Sequence, residues 1–175
     1  MNELTTVDAV LDAIAKGREF EDEEDLDTLA HMLQTAALLA ESAPDDFELQ
    51  AAGLVHDLGW LLAADAPHHA RVGGDAVRGL LGDRVAALVG GHDHAKRYLV
   101  SCDPEYRALL SEMSVATLAL QGGDMDDAEQ KTFEAEEHFE SLVTLRRADD
   151  AAKVPGRAVP ELEHWRPLLE QLAGR

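Results

Sequence analysis

Apolar residues return at helical spacing along most of the chain. From about 26 to 42, Leu26, Leu29, Ala30, Leu33, Ala37 and Ala40 trace one stripe, and Met32, Leu38 and Leu39 make further faces apolar. Such a segment is predicted as a central helix, covered by others on several sides. Ser42-Ala43-Pro44-Asp45-Asp46 ends it and caps a next helix over about 46–63. Further helices are predicted near 5–17, 69–81, 104–120, 124–134, 136–152 and 161–172, with a shorter one opening at Gly82-Asp83. Gly90-Gly91 predicts a break that would deliver His92 where backbone can approach a ligand closely. The apolar set is dominated by Ala and Leu, which favours helix over strand. The expected fold class is therefore all-α: one helical bundle over residues 1–175, with no internal repeat, low-complexity tract or linker.

A polar pair interrupts the pattern where burial is expected. In Leu54-Val55-His56-Asp57-Leu58-Gly59, an imidazole and a carboxylate sit together in an apolar helix. Burying them without partners costs several kcal/mol, so they need hydrogen bonds or a cation. Helical neighbours diverge by about 100°, which lets two ligands from one turn reach two different metals. An isolated His-Asp pair is adequately explained as a hydrogen-bonded core histidine beside an exposed acid. This one is accompanied by His31 upstream, by His68-His69 and His92 downstream, and by Asp149-Asp150 in the last long helical stretch. Imidazole and carboxylate donors without thiolate suit iron, manganese or zinc, and a carboxylate between two cations can bridge them. His94, His138 and His164 read as surface or supporting residues.

Charge narrows the range of partners. With 35 acidic against 15 basic residues, the formal charge is -20, which repels nucleic-acid phosphates and anionic membrane. Part of the acidity lies in Glu19-Phe20-Glu21-Asp22-Glu23-Glu24-Asp25, read as a solvated loop or helix entry. No stretch approaches the roughly 20 apolar residues of a membrane span. The first residues lack a signal-peptide pattern, so a cytoplasmic location is expected. The single Cys102 has no cysteine partner for a disulfide or a zinc knuckle.

The order His31, His56-Asp57, His69, His92, Asp149 resembles the HD-domain superfamily of all-helical metal proteins. Within it, His69-Ala70-Arg71-Val72-Gly73-Gly74-Asp75, the segment from Gly91-His92 to Lys96-Arg97-Tyr98-Leu99-Val100, and Leu120-Gln121-Gly122-Gly123-Asp124-Met125-Asp126 look like the phosphonate-degrading HD-domain oxygenases. Those enzymes are relatives of the myo-inositol oxygenases. The resemblance implies one metal on His31, His56, Asp57 and Asp149 and another on Asp57, His69 and His92. It selects His69 over His68 and Asp149 over Asp150. It further implies a mixed-valent di-iron centre, with Mn2+ or Zn2+ as alternatives. Such a centre would act with dioxygen on a small anion, an organophosphonate above all, cleaving a C–P or C–C bond beside a hydroxylated carbon. Lys96, Arg146, Thr117, Gln121 and Trp60 would line its binding pocket, and Lys96, Glu21 and Glu24 would take part in catalysis. Lys96 lies one helical turn past His92, and Arg146 three residues before Asp149, so both can face the ligands' cavity.

Two positions depart from the family pattern. Trp60 stands where a substrate-facing histidine is usual, and Glu21 where a tyrosine lid is usual. An indole in place of a polar donor suggests a bulkier or more apolar substituent beside the reactive carbon. A metal-dependent phosphohydrolase is the alternative reading, because the same ligands can lower the pKa of a bridging water. A sensor module without turnover is a third.

Overall fold

A computed structural model describes residues 3–20, 26–62, 65 and 67–174 of the chain. Among them every regular element is helical: α1 (Val7–Ala15), α2 (Thr28–Ser42), α3 (Phe47–Val55), α4 (Leu58–Leu61), α5 (His69–Leu81), α6 (Asp83–Cys102), α7 (Pro104–Arg107), α8 (Glu112–Leu120), α9 (Asp127–Glu134), α10 (Phe139–Ala151) and α11 (Arg166–Ala173). Short 3-10 turns extend α1 over Lys16–Glu19 and precede α11 over Leu162–Trp165. The all-α expectation holds, and no described helix is long and apolar enough to cross a membrane.

The centre of the bundle is α2, α3, α6 and α10, which pack on one another, while α5 lies along α6 and against α4. Met32, Ala36 and Leu39 of α2, Leu54 of α3, Leu88 of α6 and Leu145 of α10 are fully buried. The starts of these helices are written locally. Asp27 accepts from the Ala30 amide at 2.7 Å, and Asp46 from the Leu49 amide at 3.1 Å, each satisfying a first-turn N–H. Asp46 is fixed in turn by Arg84 of α6, at 2.6 and 2.7 Å.

Three elements differ from the sequence expectation. The helix predicted over 46–63 stops at Val55, and His56-Asp57 form the turn between α3 and α4. Gly59 permits a close approach there. A β-carbon on it would fall 1.9 Å from the His69 carbonyl oxygen, so the first turn of α5 lies directly on this turn. Gly90-Gly91 is no break. The α6 helix runs unbroken from Asp83 to Cys102, and a β-carbon on Gly91 would fall 2.8 Å from Leu142, so this small residue admits α10 to close packing. The span 104–120 is two helices, because Asp103 starts the short α7 and Ser111, accepting from the Ser114 amide, starts α8 afresh.

Candidate metal centre and anion cavity

Four helix ends and faces converge on the four histidines. His31 comes from α2, His56 from the α3–α4 turn, His69 from the start of α5 and His92 from the middle of α6; all are buried. Three of the rings are oriented by backbone carbonyls at Nδ1: His31 by Ala152 (3.0 Å), His56 by Gly53 (2.9 Å) and His92 by Val89 (2.7 Å). A carbonyl only accepts, so each Nδ1 carries a proton and each Nε2 is turned inward.

Those inward nitrogens meet in pairs. His31 Nε2 lies 3.1 Å from His56 Nε2, and His69 Nε2 lies 3.1 Å from His92 Nε2. Two lone pairs at that separation need a proton or a cation between them, which is how metal-binding imidazoles are held. Asp149 Oδ1 approaches the first pair at 3.2 and 3.8 Å. Asp57 divides its carboxylate: Oδ2 is 3.7 Å from His31 and 3.4 Å from His56, while Oδ1 is 3.6 Å from His69 and 3.9 Å from His92. His31, His56 and Asp149 therefore form one group with metal-ligand spacing, and Asp57, His69 and His92 another. The donor set fits two borderline cations sharing Asp57.

Electrostatics point the same way. Burial disfavours charge on His56, but the Asp57 and Asp149 carboxylates outweigh it and raise its pKa to about 9. Burial works against ionisation of Asp57 too, yet His56, His69 and His31 hold it well below the ordinary carboxylate range. His92 is lowered to about 4, by burial above all, with Asp93 opposing and His69 adding to the shift. Asp149 is kept ionised against burial chiefly by Arg146.

The centre opens on a cavity of about 270 Å³. One part is cationic. Lys96 is buried and donates to Thr117 Oγ1 at 2.9 Å. Arg146 is also buried and spans Asp149 (2.8 Å), Asp150, Tyr106 (3.0 Å) and Ser114 (3.3 Å). It is therefore both a wall of the cavity and the centre of an ion-pair network, rather than a surface partner of the abundant acids. Lys153, which the sequence pattern did not single out, also lines the cavity and donates to Ser111 at 2.9 Å and to Ser114 at 3.5 Å. Its position four residues past Asp149 was the available signal.

The other part is apolar, formed by Phe20, Trp60, Leu61 and Met113. Trp60 is stacked on His69. Gln121 lines the cavity and donates to Asp93 Oδ1 at 2.8 Å. Asp93 did not stand out in the sequence, although His92-Asp93 repeats the dipeptide His56-Asp57. His68 is exposed and bonded to Asp65, so it stands apart from the cluster, and Asp150 is engaged by Tyr106 and Arg146. Glu21 and Glu24 lie outside the described residues.

The segment Lys96-Arg97-Tyr98 splits its work. Lys96 enters the cavity, whereas Arg97 holds the turn after α8 by donating to the Gly123 carbonyl at 2.8 Å and to Glu129 at 2.8 Å. Tyr98 packs against Phe133 and Phe139.

The helical bundle buries two histidine pairs on either side of Asp57, two groups that could each hold a metal ion, beside a cationic cavity. No protein-family model matches the chain. It is 37% identical over 164 residues to hydroxymethylphosphonate dioxygenase of Gimesia maris, covering 88% of this chain and 81% of that protein. It is 30% identical over 154 residues to the glycine-betaine-forming [1-hydroxy-2-(trimethylamino)ethyl]phosphonate dioxygenase of Leisingera caerulea, covering 83% and 78%. An uncharacterized protein, L432, of Acanthamoeba polyphaga mimivirus is 32% identical over 153 residues, 81% of this chain and 69% of that one. The chain belongs to the phosphonate dioxygenase family.

Proposed function

We propose that this protein is a di-iron oxygenase that cleaves the carbon–phosphorus bond of a 1-hydroxyalkylphosphonate, giving a carboxylate and inorganic phosphate. The observation that carries this reading is the division of Asp57 between two histidine pairs beside Lys96, Lys153 and Arg146. Both named relatives act, by their names, on hydroxylated phosphonates. His31, His56, Asp149 and Asp57 would hold one iron, and Asp57, His69 and His92 the other. When bound, the irons supply dioxygen activation and a Lewis-acid contact to the substrate hydroxyl.

The chain's own residues do the rest. In a protein of charge -20 a phosphonate is repelled at long range, so its binding must come from local, partly desolvated cations. Lys96, Lys153, Thr117 and Ser114 offer the donors. Arg146, tied to Asp149 and Asp150, contributes charge while keeping Asp149 ionised and turned toward His31. Trp60, Leu61, Phe20 and Met113 shield the reacting carbon from water and receive its substituent.

The test is turnover under an oxygen electrode with iron-reconstituted protein and a panel running from hydroxymethylphosphonate to substituted 1-hydroxyalkylphosphonates. One phosphate released per dioxygen consumed is expected. Hydrolysis of generic phosphate esters without oxygen, with manganese or zinc, would instead establish the phosphohydrolase.

A further inference from the structure

Asp93 has no part in the ligand set described so far, yet it is buried and aimed at the same two imidazoles as Asp57. Its Oδ1 lies 3.5 Å from His92 Nε2 and 3.7 Å from His69 Nε2. Asp57 Oδ1 stands at 3.9 and 3.6 Å from those same nitrogens. Asp93 therefore approaches the pair as closely as the carboxylate already read as a ligand. Donors bonded to one ion at about 2.0–2.2 Å are separated from each other by roughly 3.0–3.6 Å, so these distances are those of neighbouring ligands before an ion draws them in.

We propose that Asp93 is a fourth protein ligand of the second metal position, and that Gln121 holds it there. This inference rests on the two-metal reading of the site. Gln121 donates to Oδ1 at 2.8 Å, the same oxygen that faces the histidines. A carboxylate held at its ligating oxygen by an outer amide is the arrangement that orients ligands around protein-bound metals. The assignment makes the two positions equivalent in donor type. His31, His56 and Asp149 face His69, His92 and Asp93 across the shared Asp57. Placing Asp93 on the second ion adds a negative charge there and removes one open position.

Cobalt(II) titration of the metal-free full chain tests this, read by visible absorption and by equivalents bound, with no turnover required. Wild type should take up two equivalents. Asp93→Asn, which keeps the shape and an acceptor for Gln121, should bind the first equivalent normally and the second at least ten-fold more weakly. The absorption of the second cobalt should intensify as its coordination number falls. Gln121→Leu leaves Asp93 in place and should weaken the second equivalent roughly ten-fold, which keeps the proposal testable should Asp93→Asn not fold. If wild type binds two cobalt ions and folded Asp93→Asn matches it in affinity and spectrum, Asp93 is not a ligand; if Gln121→Leu matches it, the proposal that Gln121 holds a ligating Asp93 is overturned. If wild type itself binds fewer than two, the two-metal reading fails and this inference falls with it.

Discussion

Trp60 lies flat on His69, with ring centroids 4.5 Å apart and planes inclined by 21°. The indole thereby does two things at once: it restrains an imidazole at the proposed second metal position, and it forms part of the cavity's apolar wall. An aromatic stack of this kind contributes about 0.5–1.5 kcal/mol beyond burial.

Trp60→Ala should therefore weaken the second metal equivalent by roughly two- to ten-fold, measured by titration. Trp60→His should raise kcat/KM for small aminoalkyl phosphonates relative to those with apolar substituents. An unchanged preference across such a panel would remove Trp60 from substrate selection.

Asp57→Ala should lose both metals, since no other described carboxylate reaches both histidine pairs at ligand distance. Metal analysis after anaerobic reconstitution checks this. Two metals retained per chain would overturn the shared-ligand arrangement.

Lys96→Ala should lower binding or turnover of an anionic substrate about ten- to a hundred-fold, the cost of a lost charge-assisted hydrogen bond. The pH dependence has a definite sign. Burial, aided by the Arg146 charge and opposed by Asp93, Asp149 and Asp150, lowers Lys96 to about 8. Only its protonated form attracts the anion, so kcat/KM should fall as pH rises through about 8. That limb should vanish in Lys96→Ala. Without ligand the linkage to folding runs the other way: the charged form is disfavoured in the fold, so stability from this group rises between about 8 and the ordinary 10.5.

Arg97→Ala should raise KM more than it lowers kcat. The guanidinium fixes the turn immediately after Gln121 without lining the cavity itself. Loss of its contacts to Gly123 and Glu129 should also destabilise the fold modestly. Denaturant unfolding beside steady-state kinetics separates the two effects. A fall in kcat with unchanged KM would reject the positioning role.

The residue pattern by itself determined the helical class, because Ala- and Leu-rich stripes at a period of about 3.6 can bury themselves only as packed helices. It also marked His31, His56-Asp57, His68-His69, His92 and Asp149-Asp150, since imidazoles and carboxylates in apolar helices demand partners, whereas the choice of His69 over His68 and Asp149 over Asp150 came only from the family resemblance. The tertiary structure alone decided which oxygen of Asp57 faces which histidine pair, and that His56-Asp57 form a turn where α5 presses on Gly59. It likewise decided that Gly91 serves helix packing rather than a break, and that Lys153 and Asp93 enter the site from just past the end of α10 and from α6. Sequence spacing gives the face of one helix, whereas the approach of side chains from four helices depends on how closely their backbones pack, which no single segment encodes.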